Sequence, residues 1–181
     1  MRFATKFFLS AVFTLTMAAF LATTASARDM KIGYVNLQKA LNLSEAGVKA
    51  KDTLKSEATA REKELDPKQA EVKALKDEIE QKKSVWNEQT RKAKEKEFAE
   101  KSKELEKQVM KLLESLNKKQ KTTEAQIIDD LSAIVKDVAK KGGYTYVFES
   151  SVSGLLVAPP EDDITDAVIE AYNKKYKEEN K

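Results

Sequence analysis

Ala58, Leu65, Val72, Ile79 and Trp86 follow one another at intervals of seven residues, and a sustained seven-residue apolar row commits a chain to helices packed along a common seam. Leu54 and Leu75 supply part of a second row, but Arg61, Lys68 and Lys82 fill its other positions. The stripe is therefore thin. Long basic stems can cover a seam while their heads stay in water, so the expected contact is a loose helix pair rather than a filled bundle. A second run repeats the pattern: Phe98, Leu105 and Leu112 are again spaced by seven, with Val109 and Leu116 beside them. After the polar stretch from Asn117 to Glu124 the row resumes as Ile127, Leu131, Ile134 and Val138, thickened by Ile128 and Val135. Apolar density thus rises toward Lys141. A hairpin rooted near its sequence ends and splayed or mobile at its middle is the expectation.

The middle holds no Gly or Pro, and Ser84 to Thr90 is the expected turn, with Asn87 as the cap before Glu88. The arms then run about 40 and 50 residues, roughly 60 to 75 Å at 1.5 Å per residue. Pro67 inside the first arm removes a donor and predicts a kink. Ser44 is placed as the N-cap of the first arm and Gly142-Gly143 as the stop of the second. Outside the hairpin, Lys31–Leu37 reads as a strand, Lys39–Leu43 as a helical turn, and Tyr144–Phe148 as a strand by its β-branched and aromatic content. A further strand is expected at Leu155–Ala158, closed by Pro159-Pro160. Asp163 is expected to cap a last helix with an apolar face of Ile164, Val168, Ile169, Tyr172 and Tyr176.

The fold class is α+β. Residues 44–141 are the helical arm, and residues 28–43 with 142–181 are a small β-rich association body carrying the terminal helix. Three short strands leave edges and faces open. Assembly through Ile32, Tyr34, Val35, Tyr146, Phe148, Leu155 and Leu156 is the simplest remedy, because these are too many apolar side chains for so small a monomeric body.

Residues 1–27 read as a secretory signal peptide: Arg2 and Lys6 open it, Phe7 to Leu21 is apolar or small, and Ala25-Ser26-Ala27 is a small-x-small cleavage site. Without that leader the chain holds 31 basic against 30 acidic side chains, so the formal charge of +3 for the full chain falls to about +1. No cysteine or histidine occurs, which removes thiol chemistry, disulfides, the usual imidazole base and the commonest metal ligand. The five glycines form no phosphate-binding loop. Neutral arms without a basic face of stacking aromatics argue against nucleic acid. The reading is of a non-enzyme without catalytic residues, cofactor or metal. Asp162 and Asp163 are explained by a helix N-terminus.

The order of parts is specific: a leader, Lys-Ile-Gly-Tyr-Val-Asn from Lys31, a long charged hairpin, Gly-Tyr-Thr-Tyr-Val-Phe from Gly143, and Asp162-Asp163-Ile164-Thr165-Asp166 opening a terminal helix. This resembles the Skp (OmpH-like) family of periplasmic chaperones for outer-membrane proteins, over essentially the whole chain after the leader. The resemblance implies a jellyfish-like homotrimer, in which strands of three chains form a β body and three hairpins hang from it as tentacles around a cavity. It further implies ATP-independent holding of unfolded outer-membrane β-barrel proteins in the periplasm, after cleavage behind Ala27.

Between Lys82 and Lys96 the basic residues Lys82, Lys83, Arg91, Lys92, Lys94 and Lys96 outnumber Glu88 and Glu95. With Trp86 they form a candidate tip for client contact, or for weak contact with an anionic membrane surface or lipopolysaccharide. The alternative to a holdase is a structural coiled-coil spacer bridging envelope components. A spacer wants a continuous, well-filled seam, and Arg61, Lys68, Lys82 and Pro67 interrupt this one.

Overall fold

The computed structural model describes residues Met30–Lys181, and the expected leader lies outside them. Lys31–Lys181 form one unit. Strand β1 (Ile32–Val35) is followed by α1 (Leu37–Leu43), α2 (Glu45–Lys82), α3 (Glu88–Gly142), β2 (Tyr146–Glu149), a 3-10 turn (Pro160–Asp162) and α4 (Thr165–Glu179).

β1 and β2 pair in parallel, with Ile32 opposite Tyr146 and Tyr34 opposite Phe148. Parallel neighbours cannot be joined by a tight turn and need a long crossover. Here α1 and the α2–α3 hairpin are that crossover. Successive strand residues point to opposite faces: Val35 and Val147 turn inward to the core, and Ile32, Tyr34, Tyr146 and Phe148 share the outer face.

The core gathers around α3. Leu131 is fully buried, Ile127 and Ile134 nearly so, and Val35, Leu41, Val168 and Tyr172 close over them from β1, α1 and α4. Full burial of one such side chain contributes about 1.5–3 kcal/mol. The apolar thickening from Ile127 to Val138 therefore marks the root of the hairpin, as its density implied.

Three local devices fix that root. Ser44 accepts the amide of Gly47 at 3.2 Å, capping α2, while Asn173 of α4 accepts the amide of Glu45 at 2.9 Å. Gly47 lies so close to α1 that a Cβ there would fall 1.7 Å from the Leu41 carbonyl oxygen; only glycine lets the two helices meet. At the other end Gly143 takes the left-handed conformation (φ 70°) that terminates α3. Lys31 donates to the Gly142 carbonyl at 2.9 Å and lies 4.1 Å from the centre of the Tyr144 ring.

The first arm matches its expected length at 38 residues and the second exceeds it at 55, so the pair is more unequal than expected, at about 57 and 82 Å. α2 runs unbroken through Pro67. Asn87 caps α3 as expected, accepting the Thr90 amide at 2.8 Å.

Four expectations need correction. The strands are shorter, because Asn36 turns the chain into α1 by accepting the Lys39 amide at 2.7 Å, and β2 starts at Tyr146 once the cap at Gly143 has been completed. Leu155–Ala158 is not a strand. The free edge of β1 is already used by the terminal segment, through a bridge between Tyr34 and Asp163 and a 2.9 Å bond from the Ile164 amide to the Tyr34 carbonyl. Leu156 and Val157 are left almost wholly exposed. The body is accordingly mainly helical, with a two-stranded sheet rather than a β-rich one. Finally, Asp163 binds the start of α4 through the Thr165 amide at 2.8 Å, one residue earlier than a standard cap, since Ile164 occupies the cap position.

Candidate functional site

Two surfaces stand out, the shaft of the arm and the outer face of the sheet. Along the shaft the apolar rows meet incompletely. Leu65 and Leu75 are buried, yet Val72, Ile79, Phe98, Leu105 and Leu112 are only half-buried. Ser102 stands in the α3 row with its hydroxyl enclosed and without a hydrogen-bond partner; such a group weakens the contact.

The shaft is instead held along one edge by charge. Glu57 pairs with Lys119, Glu71 with Lys101, and Glu78 with Lys94 at 3.9 Å. Lys68 adds a bond to Gln108. The hydrogen bond that the Lys101 ammonium donates to Glu71 is the main cause that holds it above its ordinary range, against some desolvation. Lys82, chiefly through its hydrogen bond and then through its charge, with Lys94 assisting, holds the Glu78 carboxyl below the usual carboxylate range. These acidic residues were missed by the sequence reading, although Glu57, Glu64, Glu71 and Glu78 each stand one residue before the apolar row. An acid at every such position is the signal for an edge ladder.

At the tip, α2 winds past its last residue, and the Trp86 amide still donates to the Lys82 carbonyl at 3.1 Å. Trp86 is half-buried there, beside exposed Val85. The six basic residues do come together at this end, but five of them are paired: Lys82 with Glu78, Arg91 with Glu95, Lys92 with Glu88, Lys94 with Glu97 and Glu78, and Lys96 with Glu100. Lys83 has no ion pair among the described residues. The apparent surplus arose because Glu78, Glu80, Glu97 and Glu100 lie just outside the stretch from Lys82 to Lys96; with them the tip is balanced.

The sheet presents the second surface. Ile32 is 44 % exposed, Tyr146 53 % and Phe148 43 %, all on the outer face with half-buried Tyr34. Val35 does not join them and lies in the chain's own core. Leu155 and Leu156 belong to the extended connection after the sheet. A two-stranded sheet with one apolar face in water is marginal by itself.

Among the described residues no group of three or more acidic side chains is placed to hold a metal ion, and no helix is long and apolar enough to cross a membrane. The surfaces can bind another macromolecule; they enclose nothing.

Known proteins carry the same layout. The chain is 29 % identical over 169 residues to a Skp-like protein of Pseudomonas aeruginosa, covering 90 % of this chain and 95 % of that one. Its fold is similar to the crystal structure of an OmpH-like candidate outer membrane chaperone from Caulobacter crescentus, with a TM-score of 0.71 over 81 % of this chain and 85 % of that one at 14 % identity. Residues 31–172 match the family described as Outer membrane protein (OmpH-like). By the extent of that match the chain belongs to the OmpH-like family, the Skp family that its sequence resembles.

Proposed function

We propose that the protein is an ATP-independent periplasmic holdase that binds unfolded outer-membrane β-barrel proteins between helical arms and keeps them from aggregating. The observation that carries this reading is the long shaft whose apolar rows stay half-buried. A rigid spacer has no use for reachable seam side chains, and an unfolded chain does. Light scattering of an unfolded porin, diluted with and without the purified protein, tests it. Suppression of scattering without nucleotide is expected. Unchanged scattering would remove the holdase reading.

A homotrimer joined through the outer sheet face completes the proposal, with three arms bounding the holding space. Ile32, Tyr34, Tyr146 and Phe148 are the contact residues, helped by Leu155 and Leu156. Their exposure in the single chain supports this, because burying each is worth up to about 1.5–3 kcal/mol. Phe148→Asp should then dissociate the assembly in sedimentation equilibrium; a stable monomer of the unmutated chain at micromolar concentration would refute it. Contact of the tip with anionic lipid or lipopolysaccharide belongs to the same proposal, through Lys82, Lys83, Trp86, Arg91, Lys92, Lys94 and Lys96, of which Lys83 is the basic residue without an ion pair among the described residues.

A further inference from the structure

The two edges of the arm are built differently. The pairs Glu71–Lys101 and Glu78–Lys94 fix the register of the hairpin. The seven-residue spacing puts Glu62, Gln69 and Lys76 of α2 and Ala99, Glu106 and Leu113 of α3 on the opposite edge, and among the described residues the ion pairs that join α2 to α3 all lie on the laddered edge. Burial agrees. Lys94, Lys101 and Gln108 on the laddered edge are half-buried, whereas Ala99, Glu106 and Leu113 are exposed.

The open edge also carries the exposed apolar side chains of the shaft. Met110 is 62 % and Leu113 58 % exposed. They are three residues apart and so lie side by side on one helix face, next to the half-buried row of Leu105, Val109 and Leu112. One edge is closed by charge; the other offers apolar surface.

We propose that the open edge around Met110 and Leu113 is where the arm grips apolar stretches of an unfolded outer-membrane protein, while the laddered edge only holds the arm together. This rests on the holdase reading above. A second helix is a poor occupant, because coiled-coil pairing needs apolar residues sustained over three or four heptads, and this ridge gives way to Ala99 on one side and Gln120 on the other. A folded partner wants roughly 800 Å² of continuous surface, far more than two side chains supply. An extended chain with apolar residues at alternate positions, as in barrel strands, needs only short apolar footholds. Methionine adapts its shape to varied partners. Several arms gripping one chain multiply weak contacts into useful affinity.

The test is a titration of labelled unfolded porin against the full chain and two double variants. Met110→Gln with Leu113→Gln changes exposed residues to a good helix former, and circular dichroism checks that the arm is intact. It should weaken porin binding about tenfold, because both apolar footholds are removed. Glu71→Gln with Lys101→Gln should leave binding within about twofold of wild type. A photoreactive residue at position 113 should crosslink to porin. If the Met110 and Leu113 variant binds as wild type, or the ladder variant loses as much, or crosslinks at 113 reach only a second copy of the chain, the assignment to this edge is wrong. A wild-type chain that binds no porin at all would instead overturn the holdase reading, and this assignment with it.

Discussion

Leu131 and Leu112 lie on the same helix, yet the first is fully buried at the root of the hairpin and the second only half-buried on its shaft. The helical backbone is continuous between them; what changes is the number of elements that cover it. At the root α1, α4 and β1 close around α3, and along the shaft α2 alone does. Stability in such a molecule is graded along one helix, and function can occupy the weaker end without endangering the stronger.

The most severe way to test the contrast is truncation of the two leucines. Leu131→Ala should cost about 2–5 kcal/mol, the range for a large side chain removed from a closed core. Leu112→Ala should cost well under half of that, because water already reaches the site. Chemical denaturation followed by circular dichroism measures both. Equal losses would show root and shaft to be one cooperative core.

Pro67 offers a change of opposite sign. It lacks the amide that would reach the Lys63 carbonyl, and proline in a helix interior is about 3 kcal/mol less favourable than alanine. Pro67→Ala should therefore slow amide exchange in α2 around Leu65 and Val72, leaving protection at Ile134 unchanged. Faster or unaltered exchange in α2 would mean that the helix has already accommodated the proline without local loss.

How much of this contrast could be read from residues alone depended on range. The arms, the caps at Ser44 and Asn87, the stop at Gly143 and the apolar root all rest on neighbours within a turn or a heptad, and such signals are local. The Leu155–Ala158 strand failed because its fate was decided by a distant competitor, the Asp163–Ile164 segment, for the edge of β1. The net basic surplus at the tip failed for a related reason: charges count by position on the folded helix, so Glu78 and Glu97 neutralise residues that a linear stretch separated from them. The ladder was legible and overlooked, since its acidic row runs directly beside the stronger apolar one.

Acid and alkali should separate the two regions. Glu78, held low by Lys82 and Lys94, and Glu104, held low mainly by its hydrogen bond from Gln108, both sit on the shaft. A lowered carboxyl contributes stability that is present above its unfolded value near 4.5 and is lost as pH falls through the folded one. At the root, burial first and the nearby Asp130 second push the Tyr172 phenol from 10.0 up to about 12. That contribution is complete below pH 10 and fades as pH rises toward 12. Exchange followed from about pH 5 downward should therefore stay level until pH passes below about 4.5, and should then loosen the shaft before the root. In alkali, replacing Tyr172 by Phe should flatten the fall in root stability between pH 10 and 12. Simultaneous loosening of Ile134 and Leu105 in acid would contradict the separation.

The smallest effect is expected from the ladder itself, and it is the sharpest probe of whether the shaft opens independently. Its members are solvent-exposed or half-exposed, and ion pairs of that kind add little to global stability. Glu71→Gln with Lys101→Gln should leave the unfolding midpoint of the protein where it is. Near Val72 and Phe98, however, the two helices are joined only by a partly filled seam, so amide exchange there should quicken several-fold. Raising salt to about 1 M, where the screening length falls to about 3 Å, should produce the same quickening in the unmutated chain and add nothing in the variant. Ile127 and Leu131 should keep their protection throughout, because no ladder pair reaches them. If their exchange quickened in step with that of Phe98, opening of the shaft would have to pass through the root, and the arm would behave as a single unit rather than as a loose shaft on a firm base.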